Sequence, residues 1–534
     1  MLHHLLASPD ASLLIAATVT MAFTLAGLVT GRAPARRFLL LIPLTLTLML
    51  LGIPASAAVR ATLDRFITHT SLADIAASLA TFAFLGFAAG RAVAGRRPAF
   101  KHLRGAEICD APAAGRAGSR KRQLSLAGIP IPHLDETKHF KLIGTTGTGK
   151  STAIRELLGG ALRRGDRAVI ADPDAGYLND FYNPARGDVL LNPFDPRSHR
   201  WDLFAEIETP YDVDQLARAL IPETEGGGRE WRAYARTFLT AVTRQLFELY
   251  KRDAKQHATV ELFRLLTTAP TQELKTLLAR TPAQPFLESG NERMFGSIRS
   301  VTAHAVASLE PISTQTGAPF SIRHWIRSGP GTAMDNATRG ALFLPYDARQ
   351  IAALAPMISA WLRLAIFETM DSTHATPARD QRLWFIVDEL DALGPIDGLK
   401  DALARLRKFG GRCVLGFQSI AQVSGSYGDP EAQTIVENCG NTLILRCSAS
   451  EQGGTAKFVS HLIGEREVER EQTSTGKTHT GFATPSRRTT STTTRRDTED
   501  AILASEIERL PDLTGYLKLA SSPVWHRVTL RVHA

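Results

Sequence analysis

The sequence predicts an α/β fold with a mostly parallel sheet, an inserted all-helical domain and apolar helices at the N-terminus. A glycine-rich loop, "KLIGTTGTGKST" at Lys141–Thr152, lies between an apolar run and a helical pattern. Further along, β-rich apolar runs alternate with helical patterns, as in a sheet that helices cover on both faces. Two uncharged segments near the start are long enough to cross a bilayer, which takes about 20 residues.

Residues 1–95 are predicted to cross a membrane with about three helices. Ser12–Gly31 and Phe38–Val59 carry no charge, whereas Leu72–Gly90 contains Asp74. Basic residues follow the first and third segments, so the positive-inside rule places both groups in the cytoplasm if all three segments span. The N-terminus then lies outside and the large C-terminal body is cytoplasmic. Spanning by the last two segments alone also satisfies the rule, with the N-terminus inside.

Residues 96–124 are predicted to form a basic, membrane-proximal linker held near anionic headgroups. The net charge of +9 favours nucleic acid or anionic lipid as a partner. The four cysteines show no CxxC spacing. They therefore fit neither a zinc site nor a disulfide framework.

The glycine-rich loop matches the phosphate-binding pattern of two glycines, a lysine and a hydroxyl residue. In such a loop the backbone N–H groups and the following helix N-terminus point at one anion. Lys150 is predicted to pair with the β- and γ-phosphates and Ser151 to ligate Mg²⁺. ATP or GTP is therefore the expected ligand. The predicted nucleotide-binding residues are Gly144, Thr145, Thr146, Gly147, Thr148, Gly149, Lys150, Ser151 and Thr152.

Apolar runs predict the strands that follow the loop. They are Arg167–Asp172, Asp188–Asn192, Gly340–Tyr346, Arg382–Leu390, Arg412–Ser419 and Asn441–Cys447. Residues 203–313 instead show long helical patterns and predict an all-alpha domain. This domain would be inserted into a nucleotide-binding domain made of residues 125–202 and 314–534. Residues 471–497 are rich in Thr, Ser and Arg, which predicts a flexible loop or an exposed hairpin.

Two strand ends carry the catalytic candidates. Asp388 is predicted to orient Mg²⁺, and Glu389 to accept a proton from the attacking water or to align it. Gln418 ends the next strand and is predicted to face the γ-phosphate, because parallel strands end at one edge of the sheet. A neighbouring subunit often supplies an arginine that stabilises transition-state charge. The spacing leaves three candidates open: Arg405, Arg407 and Arg412.

Several fragments between Ser125 and Val528 resemble the coupling proteins of conjugative type IV secretion, the TrwB/TraD group of the FtsK/HerA-like superfamily. The fragments include "HFKLIGTTGTGKS", "VIADPDAGYL", "LLNPFDPRSHRW", "PFSIRHW", "LWFIVDELDAL", "GFQSIAQV", "LIGEREVEREQTSTGK" and "LPDLTGYLKLA". "LNPFDPR" and "EVER" before a Thr/Ser-rich stretch are far more specific than the phosphate loop.

The resemblance implies a RecA-like P-loop ATPase of the bacterial inner membrane that assembles as a ring-shaped hexamer. It implies nonspecific DNA binding, docking of the relaxase–DNA complex onto the secretion channel, and ATP-driven transfer of the strand. It carries family roles over to Lys150, Ser151, Asp388, Glu389 and Gln418. The same match assigns the arginine finger to Arg407. Family members usually have two spans with the N-terminus inside, whereas this chain offers three.

Two other functions are alternatives. The first is an FtsK-like chromosomal DNA pump, which is disfavoured because the chain stops soon after the last predicted strand. The second is an ATP-binding membrane adaptor that recruits secretion substrates with little turnover. The intact Lys150, Glu389 and Gln418 argue against the adaptor. DNA-stimulated ATP hydrolysis would separate a motor from an adaptor.

Overall fold

A computed structural model describes residues 9–30, 40–48, 71–94, 101–111, 123–222, 228–250, 258–328, 340–371, 382–449, 454–478 and 487–532. The chain divides into two compact units. One comprises residues 1–101 and 468–497, and the other comprises residues 102–467 and 498–534.

The strands of the described residues are numbered along the chain. They are β1 Lys101–Gly105, β2 Ile108–Asp110, β3 Ser125–Leu126, β4 Ile129–Pro130, β5 Phe140–Ile143, β6 Arg167–Pro173, β7 Val189–Leu190, β8 Arg200–Trp201, β9 Pro319–Phe320, β10 Ala341–Tyr346, β11 Leu383–Val387, β12 Gly411–Phe417, β13 Asn441–Ile444, β14 Glu465–Thr478, β15 Arg487–Asp500, β16 Thr514–Lys518 and β17 Trp525–Thr529.

The helices are numbered in the same way. They are α1 Pro9–Thr30, α2 Ser71–Ala94, α3 His133–Glu136, α4 Lys150–Arg164, α5 Gly176–Phe181, α6 Pro210–Leu220, α7 Arg229–Tyr250, α8 Ala258–Thr267, α9 Thr271–Leu277, α10 Glu292–Val306, α11 Leu309–Ser313, α12 Ile322–Arg327, α13 Ile351–Thr369, α14 Leu399–Leu406, α15 Ile420–Tyr427, α16 Asp429–Asn438, α17 Gly454–Ile463 and α18 Ala504–Glu508. Short 3₁₀ turns include Leu203–Glu206, Asp391–Leu393 and Arg407–Phe409.

A ten-stranded sheet forms the centre of the larger unit, in the order β2-β17-β16-β13-β5-β12-β11-β6-β10-β7. The strands from β7 to β13 in this order run parallel, and β16 runs antiparallel to both of its neighbours. Every predicted apolar run contributes a strand to this sheet, so the predicted parallel α/β core is confirmed. These strands are buried on both faces, and for that reason they appear in the sequence as continuous apolar runs.

Successive side chains of the central strands enter two different hydrophobic cores. Val169 and Ala171 of β6 belong to one core, whereas Ala168 and Ile170 belong to the other. This follows from the alternation of side chains along a strand. Because parallel strands end at a common edge, the fold brings the ends of β5, β6, β11 and β12 together there.

Residues 203–313 are helical in their described part and contain no strand there. Their buried side chains, such as Phe238 and Ile298, share one core with a face of the sheet. The short strands β8 and β9 flank this segment in sequence and pair with each other in parallel. The chain therefore leaves and re-enters the sheet region at adjacent points.

The predicted linker 96–124 contains two short strands, and the predicted loop or hairpin 471–497 is formed of paired strands in its described part. Within the predicted linker 96–124, β1 pairs with β14 and β2 forms an edge of the central sheet. These short, mostly exposed strands lack the apolar run that marks a buried strand. In the predicted loop or hairpin 471–497, the described residues belong to the paired strands β14 and β15. Threonine is β-branched and fits an extended backbone, which outweighs the absence of core-forming residues.

The N-terminal helices α1 and α2 pack closely at small residues. A Cβ atom added at Gly90 would lie 2.3 Å from the carbonyl oxygen of Thr24 and 3.0 Å from the Cα of Gly27. The hydroxyls of Thr20 and Thr24 donate to carbonyls one turn earlier in α1, each at 2.7 Å. These groups therefore satisfy their hydrogen bonds within the helix. Of the second predicted span, only residues 40–48 are described, and they are helical.

One described helix is long and apolar enough to cross a membrane by length and composition alone, and it is α13. Its Met357, Trp361 and Leu362 are buried in the core of the larger unit. A buried core helix passes the same test as a span. The apolar helical stretches found near the N-terminus, Ile15–Val29 and Leu79–Ala92, are shorter.

Candidate active site

The glycine-rich loop connects β5 to α4 at the carboxyl edge of the sheet. Gly147 and Gly149 have φ angles of 77° and 116°, in the region that glycine adopts without steric cost. The N–H of Thr145 donates to the carbonyl of Arg446 at 2.9 Å. A Cβ at Gly149 would meet a methyl of Leu513 at 2.9 Å. The loop therefore has a fixed path that a larger residue would disturb.

Lys150 is the first residue of α4, and its side chain is buried. Its Nζ donates to the carbonyl oxygen of Gly144 at 2.5 Å. Burial lowers the pKa of Lys150, and the nearby carboxylates of Asp388 and Glu389 oppose this shift. The ammonium group is thus held against the loop by a carbonyl, an acceptor that phosphate oxygens could replace.

Asp388 and Ser151 meet beside the loop. The Ser151 hydroxyl donates to Oδ2 of Asp388 at 2.7 Å, and the Tyr177 hydroxyl donates to the same oxygen at 2.7 Å. Oδ1 of Asp388 is buried, with no hydrogen-bond partner within the described part of the chain. A buried carboxylate oxygen normally has a partner.

This pair fits a magnesium ion. Mg²⁺ prefers oxygen ligands and is usually held by one or two protein groups, phosphates and water. The hydroxyl of Ser151 and the carboxylate of Asp388 supply such oxygens, and Oδ1 is left over for the ion or for its water. The described residues hold no cluster of three or more His, Cys, Asp or Glu side chains that could bind a metal without such help.

Glu389 and Gln418 form a hydrogen-bonded chain to the loop. The side-chain amide of Gln418 donates to Glu389 at 2.9 Å, and its carbonyl oxygen accepts from the hydroxyl of Thr146 at 3.0 Å. Burial raises the pKa of Glu389, the hydrogen bond from Gln418 lowers it, and the charge of Asp388 raises it further. A carboxylate with a raised pKa beside the phosphate loop suits proton transfer.

Tyr177 and Asp172 are absent from the predicted site residues. Asp172, at the end of β6, accepts the backbone N–H groups of Tyr177 at 2.9 Å and Leu178 at 2.6 Å. These bonds hold the start of α5, so that the Tyr177 hydroxyl reaches Asp388. Burial raises the pKa of Asp172 to about 6. The sequence signal that could have identified Asp172 is its position at the carboxyl end of a buried strand, at the same sheet edge as Asp388.

The three candidate arginines are not brought to this site. Arg412 is buried at the amino end of β12, and its Nε donates to Glu136 at 3.1 Å. Arg405 and Arg407 are exposed just before the same strand. Gln418 follows the opposite end, and seven strand residues at about 3.3 Å each separate the two ends by about 20 Å. Within one chain, Arg407 is therefore remote from Lys150.

The fold and the loop together define a P-loop nucleoside-triphosphatase fold, in which a mostly parallel sheet presents a phosphate loop at its carboxyl edge. Residues 123–531 match the family described as "Type IV secretion-system coupling protein DNA-binding domain". The chain belongs to this family, as its sequence fragments predicted.

The relatives agree with this assignment. "Coupling protein TraD" of Escherichia coli (strain K12) is 32% identical over 400 residues, which cover 74% of this chain and 53% of that protein. The chain thus matches about half the length of this relative. The solved structure "Bacterial conjugative coupling protein TrwBdeltaN70" is 30% identical and covers 82% of this chain and 96% of its own, with a TM-score of 0.69. "Plasmid coupling protein TrwB in complex with ADP and Mg2+" is 31% identical, with the same coverage and TM-score.

Proposed function

We propose that the chain is a membrane-anchored, ring-forming ATPase that binds DNA and couples a relaxase–DNA complex to a type IV secretion channel. ATP hydrolysis would then drive conjugative DNA transfer. The observation that carries the ATPase assignment is the Ser151–Asp388 pair beside Lys150, in which one buried carboxylate oxygen has no partner among the described residues. The similar protein TrwB has been solved with ADP and Mg²⁺. We therefore assign ATP and Mg²⁺ to this chain.

In the proposed mechanism, Lys150 acts on the phosphate oxygens and Glu389 acts on the attacking water. Lys150 exchanges the carbonyl of Gly144 for phosphate oxygens and neutralises their charge. Ser151 and Asp388 would hold Mg²⁺, which would supply positive charge that stabilises the negative charge developing on the phosphates. Glu389 orients the attacking water and accepts its proton. Gln418 links Glu389 to Thr146, so the base is positioned relative to the loop that binds the phosphates.

In this proposal the protein forms a ring of six subunits, and each subunit supplies a positive charge to the ATP of its neighbour. Arg407 is exposed and lies at the edge of the sheet opposite to its own phosphate loop. We assign it to the ATP of the adjacent subunit, where it would stabilise transition-state charge. Arg412 is unsuited to this role because it is buried against Glu136.

We further propose that the N-terminal helices anchor the protein in the bacterial inner membrane. Large apolar side chains of this region face outward, which suits contact with lipid: Met21, Phe23, Leu25, Val29, Leu40, Ile42, Leu46, Phe84 and Phe87. Cysteine labelling from outside, at Ser8 and Thr68, tests the topology. Three spans predict labelling at both positions, whereas labelling at Thr68 alone supports two spans.

ATP turnover by the purified protein, with and without DNA, tests the proposed function. The wild-type protein should hydrolyse ATP faster when DNA is present, and Lys150→Ala should abolish turnover. Lys457→Ala, which changes an exposed lysine on α17, is the matched control and should behave like the wild type. A wild-type protein that binds ATP but shows no turnover with DNA would instead support the adaptor.

A further inference from the structure

A cavity of about 930 Å³ lies in the larger unit, away from the phosphate loop. Its walls come from α6, α7, the turn at Arg280–Pro282 and the end of α13. The lining is strongly basic: among the described residues that form it, five are arginines and one is acidic, Asp214. The arginines are Arg218, Arg236, Arg244, Arg280 and Arg363.

Hydrogen bonds or ion pairs hold at least three of these arginines in place, and Arg236 donates to the carbonyl of Ile221 at 3.4 Å. Arg363 is buried, and its guanidinium donates to the side chain of Gln215 at 2.9 Å and contacts Asp397 at 3.2 Å. Arg244 donates to Asp214 at 2.7 Å. Burial lowers the pKa of Arg363, and the positive charge of Arg218 acts in the same direction. Asp397 opposes this shift, and Arg218 and Arg363 are close enough to repel each other.

An anionic ligand would relieve this repulsion. Like charges gathered in a partly enclosed cavity raise the local potential and attract a polyanion. The planar guanidinium fork matches the oxygens of a phosphate group and can bind them in a bidentate manner. Thr240 also lines the cavity, and its hydroxyl adds a neutral donor.

An aromatic residue at the cavity distinguishes single-stranded DNA from other polyanions. Tyr211 lines the cavity, and 67% of its surface is exposed to solvent. Proteins that bind single strands combine a basic groove with aromatic side chains on which bases stack. The cavity volume lies near the upper end of the roughly 300–1,000 Å³ typical of small-ligand sites, which suits a few nucleotides rather than a duplex.

We propose that this cavity binds a short stretch of single-stranded DNA, with its arginines on the phosphates and Tyr211 stacked on a base. The proposal rests on the DNA-binding function proposed above and locates one of its contact sites. In this proposal the arginines of the cavity, and not the net charge of the whole chain, bind the backbone of the transferred strand at this site.

Fluorescence anisotropy with a labelled oligothymidylate and the full-length protein tests the proposal. Tyr211→Ala should weaken binding about tenfold, whereas Tyr211→Phe should bind like the wild type because the stacking ring remains. Arg218→Gln and Arg280→Gln should each flatten the dependence of log affinity on log salt concentration by about 0.7 per lost phosphate contact. Arg232→Gln, on α7 but outside the cavity lining, is the control and should leave both quantities unchanged.

Three results would overturn the proposal. The first is wild-type affinity in Tyr211→Ala and both arginine variants, with thermal unfolding also unchanged. The second is equal weakening of single-stranded and duplex binding by Tyr211→Ala, which contradicts stacking on an unpaired base. The third is equal weakening by Tyr211→Ala and Tyr211→Phe. A wild-type protein that binds no DNA would instead refute the proposed function itself, so the two failures can be distinguished.

Discussion

Two clusters of charged residues lie at opposite edges of the central sheet, and they differ in how completely their charges are paired. At the amino edge, Glu136 accepts two hydrogen bonds from Arg164, at 2.7 and 2.8 Å, and a third from Arg412 at 3.1 Å. Asp166 accepts from Arg164 and from the indole of Trp384. At the carboxyl edge, Asp388 keeps one buried oxygen without a partner within the described part of the chain.

The comparison distinguishes charged groups that stabilise the fold from charged groups that are available to a ligand. The buried carboxylates at the amino edge are paired with arginines, and removing one partner leaves an uncompensated charge. A buried oxygen without a partner carries a desolvation cost that the fold itself does not offset. For Asp388, which lies beside Ser151 and the phosphate loop, we infer that a ligand offsets this cost. The changes below test this contrast, from the largest expected effect to the smallest.

Of these changes, Glu389→Gln should reduce ATP turnover most. General bases contribute about 10²–10⁴-fold to rate, and we expect a loss of about 10³-fold. Nucleotide binding should persist, because Glu389 contacts Gln418 rather than the phosphate loop. Single-turnover ATPase measurements and nucleotide titrations check both parts. Asp401→Asn, an exposed carboxylate on α14, is the control. Turnover within a factor of two of the wild type would remove Glu389 from the mechanism.

Arg412→Ala should lower stability instead of rate. It removes one of the two arginines bound to Glu136, which we expect to cost about 3 kcal/mol of unfolding free energy. Burial raises the pKa of Glu136, but hydrogen bonds and charge from Arg164 lower it to a net value below the ordinary one. The stabilisation by Glu136 is therefore present above its unfolded pKa and is lost as pH falls. Denaturant unfolding, with activity measured per folded molecule, checks the prediction. Loss of turnover without loss of stability would contradict it.

Arg407→Ala should affect rate through the neighbouring subunit. Loss of an arginine finger costs about 10³–10⁵-fold in GTPases, and we expect a smaller loss, on the order of 10²-fold. Mixing Arg407→Ala with Lys150→Ala subunits should restore part of the activity. Some interfaces in the mixture then pair an intact Lys150 with an intact Arg407. Near-normal turnover of Arg407→Ala alone would exclude this residue and leave Arg405 as the exposed candidate.

His139 should make the amino edge sensitive to mild acid. Burial lowers its pKa from 6.5 to about 4, its Nδ1 accepts from the N–H of Cys413, and Nε2 donates to the carbonyl of Leu403. Between these values the unfolded chain binds more protons than the folded one, so stability falls as pH decreases.

His139→Asn isolates the contribution of this group. Asparagine tolerates the positive φ of 54° at this position. Between pH 6.5 and pH 4.5, the unfolding free energy of the variant should fall by about 2 kcal/mol less than that of the wild type. Denaturant unfolding at the two pH values measures the difference. Equal losses in the two proteins would show that His139 is not responsible.

The sequence predicted which side chains meet beside the phosphate loop because the signals for them are local. The phosphate loop has a fixed spacing, and Asp388, Glu389 and Gln418 each follow a strand that is apolar on both faces. The parallel order of those strands then requires their ends to meet. No long-range information was needed for this part of the fold.

Other features depend on pairing partners far away in sequence. Tyr177 reaches Asp388 only because Asp172 holds the start of α5. Arg412 could be excluded as the arginine finger only from its contact with Glu136, which is distant in sequence. The strands β1 and β2 carry little apolar surface, and their partners β14 and β17 lie more than 350 residues later. Composition alone cannot predict such contacts.

Calorimetric titration of ADP, with and without Mg²⁺, tests the central claim that Asp388 and Ser151 form the metal side of a nucleotide site. The wild-type protein should bind ADP more tightly when Mg²⁺ is present. Asp388→Asn should lose this enhancement while its Mg²⁺-free affinity stays close to that of the wild type, because Lys150 and the loop are unchanged. If Asp388→Asn keeps the full Mg²⁺ enhancement, the unpartnered oxygen of Asp388 does not serve the metal and the account is wrong.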